Sequence, residues 1–334
     1  MLETTFIPIN SEKCCQSSRT AVTFDLSFYR TKSTQEPKVE DLREFFRALP
    51  NFRMRDIDVE QLQKSLAEKG ASRLEVKEAY DIDYENQSTG VYFQMFYTPT
   101  NSSNEEPSFP NLDPTGLGAH VNLVRPTYFA LESFPLITQI ADKFGLLTFD
   151  NQITSRHKEP FKADSATLTE SWIATNSWAI GNFRKEGHSI KYLPRERLDY
   201  NWNFLRQCVG MQQRLGDHVF VPTRIFLAEK NSFLGTFVTW TDYIPMVLPS
   251  VDWIVMGQSK GGKDFSTRGF ARFGDLLPIL ANDLRNLSEP VPHYLLSNDL
   301  TKDTRKKLEK LQLIDKKEFK ALPPSVNVVD VPPN

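Results

Sequence analysis

Two kinds of apolar patterning alternate along this chain, and together they predict an α+β fold. Strict alternation marks strands: in Ala21 to Tyr29, Val22, Phe24, Leu26 and Phe28 share one face, and Ser72 to Glu85 repeats the pattern. Helical spacing marks the longer stretches between them, for example Leu168, Trp172, Ala179, Ile180 and Phe183. Val219 to Gln258 holds three aromatic-rich apolar runs broken by polar turns and prolines, which reads as consecutive strands. The expected architecture is an N-terminal ferredoxin-like sheet with helices on one face, then a C-terminal α+β domain in which a helical hairpin packs on a small antiparallel sheet. A chain of 334 residues exceeds the usual single domain. The divisions expected are 1–150, a linker at 151–163, and 164–334.

After the first strand, Pro37 opens a helix carrying Val39, Leu42, Phe45, Phe46 and Leu49, and Pro50 stops it. Asp58 and Gln61 form a capping pair for a second helix that runs toward Gly70. The long alternation up to Glu85 and the run Val91 to Thr98 flank the turn NQSTG, a hairpin. Residues 99–117 are rich in Pro, Asn and Ser and read as a surface loop. A strand at 118–124, a helix begun by Pro135 and ended by Gly145, and a short strand at 146–149 complete the first domain. Two helices follow, around Trp172 and around Trp202, then the strands of 219–258. A helix at 273–284 is interrupted at Pro278. Residues 301–320 form a basic amphipathic helix or two short ones, and prolines extend the tail.

Composition excludes several classes. The chain is 40% hydrophobic and 25% charged, so neither disorder nor a fibrous repeat is expected. Three cysteines, with Cys14 beside Cys15 and Cys208 far away, build no disulfide framework and no zinc site. The start has no signal-peptide pattern and no run could span a bilayer. A soluble cytoplasmic protein, with no membrane contact, is expected. The net charge of −2 hides an asymmetry: residues 1–155 carry fifteen Lys and Arg against twenty-two Asp and Glu, the rest twenty-five against twenty. The interspersed acids of 302–320 mark that basic run as a solvated helical face, which argues against nucleic acid as the partner and leaves RNA binding, through the basic helix with exposed aromatics, as the third and weaker reading.

Gly257 to Lys263 matches G-x-x-x-x-G-K after a strand, but Asp264 stands where a phosphate-binding loop needs Ser or Thr, and no helix start follows. Lys260, Gly261, Gly262, Lys263 and Arg268 are instead candidates for holding an anion or an acidic partner. Asp81, Asp83 and Glu85 share a strand face, as Mg²⁺ ligands would, but they continue a solvent face that begins at Arg73. No histidine is spaced to bind metal with another His or Cys, so neither metal nor cofactor is expected. Trp178 lies off its helix's apolar stripe and is the interface candidate. No catalytic residue is assigned. The expected function is a non-enzymatic protein-binding module, immunity- or adaptor-like. The alternative is an enzyme acting on a phosphorylated or carboxylated small molecule at the domain junction, drawing on His157, Asp164, His188, His218 and Lys263.

Overall fold

The computed structural model describes residues 22–68, 78–98, 107–152, 157–260, 264–323 and 327–333. It is an α+β protein with several sheets. The chain begins with β1 (Thr23–Thr31), α1 (Val39–Ala48), β2 (Phe52–Asp56), α2 (Val59–Glu68), β3 (Tyr80–Glu85), β4 (Tyr92–Tyr97) and β5 (Leu112–Asn122). Next come α3 (Tyr128–Phe144), β6 (Leu147–Asp150) and α4 (Ser165–Lys185). All six strands join one sheet in the order β2-β3-β4-β5-β1-β6.

Alternation in β1 sends Phe24, Leu26 and Phe28 into the core and leaves Asp25 and Ser27 on the open face. Leu42 and Phe46, one turn apart on α1, cover the inner face. The Asp58 carboxylate accepts the Glu60 and Gln61 N–H groups at 3.0 and 3.1 Å, so α2 carries the expected cap. Every pairing in the sheet is antiparallel, including β1 with β5, whereas a split βαβ joins its central strands in parallel.

Three local expectations change. β2 forms where no strand was expected, because Phe52 and Met54 reach the core although charges surround them. β5 starts at Leu112, inside the expected loop: Pro114 and Gly116 look like breakers, but they sit at an irregularity in the pairing with β1, where a proline is tolerated. Phe109 anchors the preceding segment between Tyr29 and Phe149, at ring distances of 5.2 and 5.1 Å. α3 begins seven residues before Pro135, which lies inside it. Burial of Phe129, Ala130, Phe134 and Ile137 outweighs the roughly 3 kcal/mol that an internal proline costs.

The second half comprises β7 (Lys191–Tyr192), α5 (Arg195–Leu215), β8 (Phe226–Lys230), β9 (Phe233–Thr241), β10 (Met246–Pro249), β11 (Trp253–Lys260), β12 (Asp264–Arg272), α6 (Phe273–Leu280), β13 (Leu284–Leu287), β14 (His293–Leu296), α7 (Lys302–Glu309), a 3-10 turn at Lys316–Glu318, β15 (Lys320–Ala321) and β16 (Val328–Val329). The two helices of the hairpin serve different cores. Leu168, Trp172, Ala179 and Ile180 of α4 belong to the core of the six-stranded sheet. Phe204, Cys208 and Met211 of α5 pack with Val247 and Leu295 of a three-stranded antiparallel sheet, β10-β14-β13.

The segment 219–258 yields four strands rather than three. β10 leaves for that smaller sheet, and β11 returns to lie parallel to β9 in a five-stranded sheet ordered β12-β11-β9-β8-β15. No helix among the described residues is long and apolar enough to cross a membrane.

Candidate functional site

The groove that best matches the nominated residues is built on β11 and β12. These strands form a hairpin in which Lys260 pairs with Asp264; Gly261, Gly262 and Lys263 lie outside the described residues. A strand follows the glycine-lysine segment, not a helix, so the N-terminal helix dipole of a phosphate-binding loop is missing. Met256 pairs with Gly269 but Gly257 pairs with Thr267, so Arg268 is an extra residue, a β-bulge. A bulge turns a side chain out of the regular alternation. Gly269 permits it: a Cβ there would stand 2.8 Å from the Ile314 carbonyl oxygen and from Leu313 Cβ.

Opposite lies the turn after β9. Asp242 and Tyr243 are both left-handed, at φ 52° and 56°, a conformation that costs non-glycine residues about 1–3 kcal/mol each. Tertiary contacts hold it. The Asp242 carboxylate accepts the Ser259 N–H at 3.0 and 3.2 Å, and the Tyr243 ring meets Trp240 edge-on at 5.4 Å. Its hydroxyl accepts a hydrogen bond from Arg268 Nη1. The third wall is α7. Thr301 caps it by accepting the Thr304 N–H at 3.1 Å, and Leu308 anchors it in the core. Arg305 and Glu309, one turn apart, face the groove.

The groove measures about 420 Å³ and is lined by Asp242, Tyr243, Gly257, Gln258, Arg268, Arg305 and Glu309. Among the described residues Arg268 has no carboxylate within ion-pair distance, and Arg305 reaches Asp299 only at 4.0 Å. Guanidinium groups in this state can take a carboxylate or phosphate in a bidentate fork. Glu309 and the Gln258 amide could meet a donor on the same ligand.

A second polar cluster covers the open face of the six-stranded sheet. His120 Nδ1 and Asp25 Oδ1 are 2.7 Å apart, and Phe96 stacks on the imidazole at 4.8 Å. Burial pulls the Asp25 carboxyl upward, but hydrogen bonds with His120 and Thr23 outweigh it, leaving the group below its ordinary range. Burial and the neighbouring Asp83 push Asp81 up, against the pull of Arg55. Arg55 bridges the two at 3.8 and 2.6 Å. Glu85 is exposed at the strand end. Among the described residues no group of three His, Cys, Asp or Glu could hold a metal ion.

The residues invoked for a junction enzyme are spread out. His157 stacks on Phe161 at 3.7 Å, and Asp164 caps the start of α4 by accepting the Thr167 N–H at 2.7 Å. His188 lies beyond the other end of that helix, 3.5 Å from Glu186. A 21-residue helix is about 30 Å long, so Asp164 and His188 do not share a site. Burial pushes the Cys208 thiol up, away from the thiolate that nucleophilic chemistry needs. Trp172, Trp202, Trp240 and Trp253 are buried, while Trp178 is 55% exposed.

Sequence inspection missed Glu132. Its side chain is buried in α3, where Oε1 accepts from Tyr84, Asn86 and Thr89 at 2.8, 2.7 and 3.0 Å and Oε2 accepts from Trp202 Nε1 at 2.5 Å. The available signal was one acid set among the apolar residues of 128–141. No protein family, curated protein or solved structure matches this chain.

Proposed function

We propose that this chain is a protein-binding module whose Arg268–Arg305 groove receives an anionic group of its partner. The observation that carries the proposal is the pair of guanidinium groups facing one groove, Arg268 with no ion-pair partner among the described residues and Arg305 reaching Asp299 only at 4.0 Å, although Asp242 and Glu309 line the same groove. An unpaired arginine beside a held tyrosine is a preorganised anion receptor, and arginine and tyrosine are the residues that dominate binding energy at interfaces. The exposed Trp178 ring offers apolar contact area elsewhere on the surface. Cys208, a free and buried thiol, is compatible with the reducing cytoplasm in which we set this function.

The test is affinity purification of the tagged protein from its own host at physiological salt, with and without nuclease. The same purification is run with the double variant R268E/R305E. We expect a stoichiometric, nuclease-resistant protein to be retained by the native chain and lost from the variant, with both chains giving the same circular dichroism. Equal retention by the variant would reject the groove as the contact. A solitary protein carrying a small phosphorylated or carboxylated molecule would reject the protein-binding role in favour of small-molecule chemistry.

A further inference from the structure

The face of the five-stranded sheet turned away from α6 and α7 carries a row of aromatic rings. Phe226, Phe237 and Trp253 stand directly opposite one another across β8, β9 and β11, and Arg272 of β12 ends the row. Directly opposed residues share a face, so three aromatic rings and one guanidinium line up over about 14 Å, three strand spacings. Ring contacts extend the row into a continuous chain: Phe226 to Phe237 at 5.3 Å, Phe237 to Phe270 at 5.4 Å, Phe270 to Phe319 at 3.8 Å, Phe319 to Trp253 at 5.0 Å and Trp253 to Phe233 at 5.5 Å. Gly235 makes the arrangement possible, since a Cβ there would lie 2.6 Å from the Trp253 indole.

The two ends of this chain are open. Phe226 is 40% exposed and Phe233 56% exposed. Cations accompany the rings. Arg272 is exposed and has no ion-pair partner among the described residues, and Lys316 and Lys317 are exposed in the turn that precedes Phe319. The nearby carboxylates are engaged within the fold: Glu318 binds Lys230, and Asp315 accepts the Lys317 N–H at 2.9 Å.

We infer that this aromatic face binds single-stranded nucleic acid, with bases stacked on Phe226 and Phe233 and phosphates held by Arg272, Lys316 and Lys317. Two requirements of that ligand are met together. Bases stack on exposed rings whatever their sequence, and the backbone needs cations that are not already neutralised. A protein interface is depleted in lysine, whereas two of the three exposed cations beside these rings are Lys316 and Lys317, and the side chains leading into Phe233 are the polar Asn231 and Ser232. The basic run at 302–320, which looks from sequence like a solvated helical face, contributes through Lys316 and Lys317 because β15 and the 3-10 turn bring it against this sheet.

The experiment is fluorescence anisotropy of the full chain with short labelled single-stranded RNA and DNA of mixed sequence, alongside the matching duplex. We expect the single strands to bind, the duplex to bind less well, and affinity to fall steeply between about 50 and about 200 mM salt. The variant F226A/F233A should weaken binding about tenfold or more. R272E should weaken it and flatten the salt dependence. Both phenylalanines sit at the open ends of the ring chain, so the variant should keep the native circular dichroism and remain folded at the assay temperature. Absence of binding up to about 100 µM at low salt would overturn the inference, as would equal binding by F226A/F233A. So would concentration-dependent self-association in sedimentation that F226A/F233A abolishes while the oligonucleotide is ignored, because that assigns the face to a second copy of the chain.

Discussion

Glu132 gathers four neutral donors on one buried carboxylate: the Tyr84 hydroxyl, the Asn86 amide, the Thr89 hydroxyl and the Trp202 indole. It ties the β3–β4 hairpin and α3, both in the first half, to α5 in the second. Tyr128 adds a parallel stack on Trp202 at 6.0 Å. A buried donor left without an acceptor costs about 1–3 kcal/mol, far more than a satisfied hydrogen bond contributes. Glu132→Ala strands all four and should lower unfolding free energy by about 3 kcal/mol or more. Glu132→Gln keeps an amide oxygen for the three donors on Oε1 but turns an NH₂ group against the Trp202 N–H. Its loss should therefore fall between the native chain and the alanine variant. Urea unfolding followed by tryptophan emission checks both, and equal midpoints for the alanine variant and the native chain would show that this carboxylate is not a clamp. A single acid in an apolar stripe hints in the sequence that it is paired, but nothing there names four donors that lie 43 to 70 residues away.

At the scale of elements, what could be read from the sequence was whatever a local period records. The helices around Leu42, Trp172 and Trp202 and the β3–β4 hairpin follow from spacing alone, because each is closed by neighbours within the same stretch. Pairing between distant strands leaves no such trace. The exit of β10 to a second sheet, the parallel return of β11 beside β9 and the five-residue β2 are all set by partners remote in the chain. The groove shows the same division. Arg268 stands out in the sequence by its charge beside a lysine- and glycine-rich loop, whereas the bulge that turns it, the left-handed Asp242–Tyr243 pair and the approach of α7 do not. Gly269 is the element-level test of that bulge. Its Cβ would meet a backbone oxygen that cannot swing aside, so Gly269→Ala should cost about 1–3 kcal/mol and should also shift the β12 register around Arg268. Hydrogen exchange at the Phe270 N–H, which bonds the Ile314 carbonyl at 2.9 Å, reads that shift; unchanged protection would mean that the strand does not depend on this contact.

For the whole molecule, the C-terminal tail is what closes the structure. Residues 327–333 run back between the halves, and β16 pairs in parallel with β7. Val329 is fully buried in the core of the six-stranded sheet, while Val328 packs with Leu193 and Leu198 against Leu227 and Leu234. The polar contacts are also divided. Thr127 N–H donates to Asp330 at 3.0 Å, Arg125 to Asn327 at 2.5 Å, and Arg184 to the carbonyls of Val331 and Pro332, both at 2.7 Å. Burying a valine contributes about 1.5–3 kcal/mol, so two valines and their flanking hydrogen bonds make a large share of the 5–15 kcal/mol that holds a typical protein folded. Deletion of residues 327–334 removes these contacts and the β16–β7 pair while leaving the six-, five- and three-stranded sheets complete. The shortened chain should lose about 3 kcal/mol or more, and its two halves should no longer unfold together. Trp172 sits in the first core and Trp240 in the second, so 19F NMR of the 5-fluorotryptophan-labelled chain reports each half separately with Trp202 in place. Coincident urea transitions in the native chain that separate after the deletion are the expected result. If they remain coincident, the Glu132–Trp202 clamp and the helix contacts alone couple the halves, and the tail is only a lid on the seam.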